Sequence, residues 1–292
     1  MFVRNLGVIG CALSMAVLTA ATPAAAQDAV LLEPTSPWAI EYADDSCRLY
    51  RTFGSGPQQV VAGLTSYEPG GRFELSAVGE LTKTFSRPDT VKIAIGDIES
   101  FGLRYLQVDF DGTPGLLIMN KISIGPLPEG VNDRLRNRQP VKSVSDPAIE
   151  EQVKTIGFVD GLEQEFILHT GSMKEPMNVL RECTEELITH WDIDVEAHDD
   201  LQRVASPQRP RRPWLQMRDF PSSMRQPTHI NYRIIIEESG TPVGCRIAAT
   251  DPNSEFATIA CETLMSRMKF DPAMGTDGEP VRSYFASDMF LN

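Results

Sequence analysis

The chain is poor in histidine and in positive charge, and these shortages narrow its chemistry before any motif is sought. Histidine occurs four times, at His169, His190, His198 and His229, and no two are spaced i, i+4 as on a zinc-binding helix. No Cys-x-x-Cys is present, which removes the usual dithiol redox arrangement. Basic residues number 27 against 40 acidic, a formal net charge of −13, so the electrostatic footprint of a nucleic-acid binder is missing. After the N-terminal region, apolar runs are as short as Leu116-Leu117-Ile118-Met119, too short for a transmembrane helix. The acidic stretch from Asp192 to Asp200 lacks the mid-loop glycine and closing glutamate of an EF-hand. Phe53-Gly54-Ser55-Gly56-Pro57 has no following Lys-Ser/Thr, and Asp111-Gly112-Thr113 reads as hairpin turn chemistry. With no catalytic constellation, metal site or cofactor motif, the expectation is a non-enzymatic protein with no cofactor.

What is present starts with an apolar N-terminus. Arg4 precedes an apolar run from Leu6 to about Ala21 and a small-residue site at Ala24-Ala25-Ala26, the pattern of a secretory signal peptide over 1–26. A retained membrane anchor is the alternative, against which Pro23 and the alanines break the run early. Cys11 precedes most of that run, where a lipoprotein cysteine would follow it. A periplasmic location is therefore expected, an oxidising compartment in which the remaining Cys47, Cys183, Cys245 and Cys261 form disulfides.

From Trp38 to about Thr170, short apolar runs alternate with Gly, Pro, Asp and Ser, and strands are expected at 47–52, 59–65, 72–76, 91–95, 104–110, 115–119 and 165–170. A helix follows at about 172–191, with Ser172 as cap and Glu175 three residues on, and with Met177, Leu180, Leu187, Ile188 and Trp191 on one stripe. Proline and arginine crowd the stretch 201–219, which reads as an extended linker. In 220–292, Ile230, Tyr232, Ile234 and Ile236 alternate along a strand; Val243, Cys245 and Ile247 share one face of the next; Ser254 begins a helix running to about Met268; and 282–291 is a last strand. The fold class expected is α+β: a strand-rich antiparallel domain over 28–200 ending in a helix, and a small strand-strand-helix-strand domain.

That order bears on the cysteines. Cys245 points inward with Val243 and Ile247, and Cys261 lies beside the apolar stripe of the helix, so a bridge between them would close a loop of about 16 residues and contribute ~3 kcal/mol. Cys183, on the stripe of its own helix, faces the sheet that carries Cys47. The favoured pairings are Cys245–Cys261 and Cys47–Cys183.

The stretches Phe220-Pro221, YRIIIEESGTPVGCRIAATDP from Tyr232, EFATIACETLMSRMKFDPA from Glu255 and DGEPVRSYFASDMF from Asp277 together resemble the C-terminal domain of the TonB family of energy transducers. The resemblance covers about a quarter of the chain and implies a domain that engages an extended peptide by strand addition. The candidate partner-binding edge is the last strand, with Arg282, Tyr284, Ala286, Asp288 and Phe290 along one face and Ser283, Phe285, Ser287 and Met289 along the other. The alternative is that those positions simply complete the sheet or form a homodimer edge. A transducer of this kind has an uncleaved anchor and a long spacer; here a cleavable signal and a folded domain stand in their place. The expectation is a protein-binding module for an outer-membrane receptor or another envelope protein. An anchored energy transducer for outer-membrane transport, and an enzyme with an unrecognised site in the N-terminal domain, are the alternatives.

Overall fold

The computed structural model describes residues 28–85, 90–141, 143–199, 201–209, 213–248 and 253–292, and the expected signal segment lies outside them. The alternating N-terminal half forms β1 (Val30–Leu32), β2 (Ala39–Tyr42), β3 (Cys47–Phe53), β4 (Val60–Ser66), β5 (Glu74–Val78), β6 (Thr90–Ile95), β7 (Phe101–Phe110), β8 (Thr113–Ile118), β9 (Thr155–Asp160) and β10 (Phe166–His169). These make one ten-stranded sheet in the order β1-β10-β9-β6-β7-β8-β5-β4-β3-β2. The β1–β10 pair is parallel; the others are antiparallel. Just past β1, Pro34 bridges to Phe53, the Gly54 N–H donates to the Glu33 carbonyl (2.8 Å) and the Thr35 N–H to the Thr52 carbonyl (2.9 Å). The segment after β1 thus reaches the end of β3, next to the far edge of the sheet, and uses internally some of the backbone groups that an open edge would offer to other chains.

Its inner face is apolar because the strands alternate. Leu49, Leu64 and Leu75 stand directly opposite one another on β3, β4 and β5 and are at most 2 % exposed. Helices α1 (Val131–Arg136) and α2 (Pro147–Gln152) precede α3 (Lys174–Thr189), with α4 (Val195–Asp199) after it. The amphipathic stripe of α3 lays Met177, Leu180, Leu187 and Ile188 on the same core. Its start differs from expectation: Met173 is the cap, without a side-chain cap bond, and Ser172 Oγ is 3.4 Å from the Lys174 N–H. Cys183 of α3 is bonded to Cys47 of β3 (S–S 1.96 Å) on this inner side.

The stretch expected as a linker does not run free. Residues 201–207 contain β11 (Leu201–Arg203) and β12 (Ser206–Pro207), and Leu201, Ala205, Leu215 and Phe220 belong to a second hydrophobic core. The apolar residues set among the prolines and arginines find strands to pair with, so this segment is the first layer of the C-terminal unit; Pro210, Arg211 and Arg212 lie outside the described residues.

That unit continues with β13 (Thr228–Ile236), β14 (Pro242–Ile247), α5 (Glu255–Arg267), β15 (Phe270–Asp271), β16 (Ala273–Gly275), β17 (Pro280–Val281) and β18 (Ser283–Leu291). β11 pairs with β16 and β12 with β15, while the main sheet has the order β14-β13-β18. Ser254 caps α5 by accepting from the Ala257 N–H at 3.2 Å, and the Cys245–Cys261 disulfide ties β14 to this helix. The turn between β13 and β14 requires Gly240: its φ is +79°, and a Cβ there would sit 2.3 Å from the Phe270 carbonyl oxygen. The architecture is α+β, with five α-helices among the described residues, none of them long and apolar enough to cross a membrane.

Candidate functional site

β18 pairs with β13 along its whole length, from Ser283 opposite Ile236 to Leu291 opposite Thr228. It is the outer strand of its sheet, and no strand among the described residues pairs with its other side. Arg282 lies one residue before it.

Alternation separates the side chains of β18 into the two faces expected from the sequence. Phe285 and Met289 pack on the second core, with the Phe285 ring 5.6 Å from that of Phe270. Tyr284, Ala286, Asp288 and Phe290 lie on the face assigned to a partner, but much of that face meets the protein itself. Tyr284 packs edge-on against Trp191 and is stacked with His198, both at 4.9 Å between ring centroids. Asp288 Oδ2 is 3.1 Å from His229 Nε2, the Arg104 guanidinium lies 5.4 Å from the Phe290 ring, and Arg282 Nε donates to the Asp192 carbonyl at 2.9 Å. The reason is the N-terminal unit: the apolar residues at the end of α3, Leu187, Ile188 and Trp191, belong to a core on which Ile235 and Tyr284 of the C-terminal sheet pack.

A groove of about 310 Å³ lies beside Tyr284, Phe285 and Ala286. Successive side chains leave a strand on opposite faces, so three consecutive residues line one groove only where it follows the strand's edge. Its other wall comes from Glu68, Gly70, Leu135 and the Val204–Ala205 segment.

Below β13, a polar cluster joins the two units. Glu74 stands opposite Thr65, which stands opposite Arg48, so its side chain leaves the outer face of the N-terminal sheet. It is nevertheless 1 % exposed because β13 covers it. Asn231 Nδ2 donates to Glu74 Oε1 at 2.8 Å, and His229 Nδ1 is 3.4 Å from the same oxygen. The array Glu74, His229, Asp288 therefore runs from one unit into the other. Carboxylates flank both ring nitrogens of His229, leaving neither for a substrate, and the arrangement acts as a tie between units. Burial pushes the Glu74 carboxyl above its ordinary range, against the Asn231 and His229 contacts. Burial acts on Asp288 in the same sense, but the His229 hydrogen bond and the nearby Lys121 hold it below the usual aspartate value. Tyr67 is pushed up by burial and then by the Glu74 and Asp45 charges.

Sequence reasoning did not single out Glu74 or Asn231, and noted His229 only as one of the scattered histidines. Glu74 and Asn231 each sit at a position where alternation between apolar neighbours assigns them to solvent, so no local signal marks them. Among the described residues, no group of three or more His, Cys, Asp or Glu is placed to hold a metal ion. No family model, curated protein or solved structure matches the chain.

Proposed function

We propose that this is an exported, periplasmic, non-enzymatic binding protein that takes an extended segment of another envelope protein, such as an outer-membrane receptor, as an added strand on the outer edge of β18. The observation that carries this reading is the nine-residue outer strand with a groove along its edge. The resemblance of 220–292 to the TonB C-terminal domain points the same way.

An added strand gains its affinity from main-chain hydrogen bonds, which an outer strand offers without rearranging its own sheet. Selectivity cannot come mainly from alternate β18 side chains, because residues of both sets already pack on this chain. It falls to the groove wall around Glu68, Leu135 and Ala205.

The test places a photoreactive residue at Ala286 of the full chain, in envelope extract, with the same residue at Val243 on the opposite outer strand as control. Cross-links from Ala286 that map to a defined extended segment of one partner, and are absent from Val243, are the expected result. Equal cross-linking from both positions, or none from Ala286, would remove the proposal. A cross-link to a second copy would replace it with a homodimer edge.

A further inference from the structure

Two arginines stand directly opposite each other on neighbouring strands, Arg233 of β13 and Arg246 of β14, a placement that like-charge repulsion disfavours. Both line a cavity of about 500 Å³ between the two units, with Trp191, Leu187 and Tyr42 among its walls. Arg246 is neutralised: its Nε is 3.0 Å from Oδ2 of the buried Asp45. Arg233 is not. Its guanidinium carbon lies 3.9 Å from the centre of the Trp191 ring, and it makes no hydrogen bond or ion pair among the described residues. Arg233 Nε and the Trp191 indole N–H are both buried without an acceptor. Burial lowers Arg233 to about 10, with Asp45 opposing the shift and Arg246 adding to it.

A half-buried guanidinium whose nearby carboxylate, Asp45, is already bonded to Arg246 is costly, and stacking on an indole offsets only part of that, ~2 kcal/mol when desolvated. The buried unpartnered groups at this cavity, Arg233 Nε and the Trp191 indole N–H, are donors, and a carboxylate is an acceptor-only group that an arginine fork holds through paired, charge-assisted bonds. Asp44 and Glu186 also line the cavity, both exposed and outside any ion pair among the described residues. Their charge opposes any anion, and a dianion such as phosphate more strongly than a monocarboxylate. Apart from His190, the remaining wall is apolar and aromatic, and the volume suits a small molecule rather than an ion alone.

We infer that this cavity binds a small organic monocarboxylate with an apolar body, the carboxylate on Arg233 beside Arg246 and the body along Trp191, Leu187 and Tyr42. The site is separate from the edge of β18 and does not depend on the strand-addition reading.

Titration calorimetry of the full chain at constant ionic strength tests it, with phenylacetate as the probe, phenylacetamide as its neutral counterpart and inorganic phosphate as the dianion. Phenylacetate is expected to bind one to one and to change Trp191 fluorescence, with phenylacetamide and phosphate clearly weaker. Arg233→Gln should weaken phenylacetate at least about tenfold, the loss of a charge-assisted pair. Arg136→Gln, which removes an arginine whose side chain is 79 % exposed, should leave binding unchanged. Should Arg233→Gln fail to fold, Arg233→Lys keeps the charge without the fork and should still bind more weakly than the parent. The inference is overturned if the unmodified protein shows neither heat nor a fluorescence change. It is equally overturned if phenylacetamide or phosphate matches phenylacetate, or if the folded Arg233 variant binds as the parent does.

Discussion

Glu74 lies between Phe73 and Leu75, which point into the core, so alternation sends its carboxyl outward, yet the second unit buries it. Its native pKa is raised above the ordinary 4.5, so the native state holds this proton more tightly than the unfolded chain does. The group therefore costs no extra stability below pH 4.5, and stability is lost as pH rises from there through the raised native value. Glu74→Gln, which keeps an acceptor for Asn231, is expected to flatten that decline, measured as the difference in denaturation midpoint between variant and parent across the window. Asp288 has the opposite sign: its pKa is lowered, so its contribution is present above the ordinary 3.8 and is lost as pH falls through the native value. Glu74→Ala should be more damaging than the glutamine change at neutral pH, because Asn231 Nδ2 loses its acceptor in a buried setting, at a cost of about 1–3 kcal/mol. Equal midpoints for the two variants would show that the cluster does not tie the units together.

Strands and helices followed from local pattern where the pattern was long enough to repeat. β3, β4, β6, β7 and β18 were legible as alternating runs, and α5 as a stripe behind a serine cap. β1 and β2, with three and four residues, carry too few alternations to stand out, and the partner of β1, β10, lies far along the chain. The Cys245–Cys261 bond joins neighbouring elements across a separation of 16 residues. Replacing both cysteines by alanine should cost about 3 kcal/mol, a fall in Tm of roughly 6–12 °C for a chain of this size, read by calorimetry without reductant. Gly240→Ala should also destabilise, by more than about 1 kcal/mol, because neither the positive φ nor the Phe270 carbonyl leaves room for a Cβ. An unchanged Tm there would mean that the turn between β13 and β14 can be rebuilt.

The two units share one continuous set of contacts: Trp191 of the N-terminal unit holds Tyr284 on one side and Arg233 on another, while Asp45 and Glu74 reach Arg246 and Asn231. A single cooperative unfolding transition is therefore expected. Trp191→Ala removes the aromatic centre of this seam at a cost of about 3–5 kcal/mol and should split the transition in two, visible by calorimetry. One transition persisting in the variant would place the coupling elsewhere. At this scale the 201–219 stretch also departs from expectation: a Pro/Arg-rich composition suggests an extended tether, but Leu201, Ala205 and Leu215 are buried in the second core, which composition averages away.

By itself the sequence determined what is local: the α+β class, most of the longer strands, the two amphipathic helices, and the last strand, expected at 282–291 and found at Ser283–Leu291. Alternation, capping and loop closure act over a few residues, so the chain carries their record in order. Only the tertiary structure decided which surfaces remain for a partner. Whether Tyr284 faces a ligand or Trp191, and whether Glu74 faces water or Asn231, depends on how one unit covers the other. A strand's alternation states that two faces differ, but which of them is covered is set by the apolar area and charge on the opposing unit.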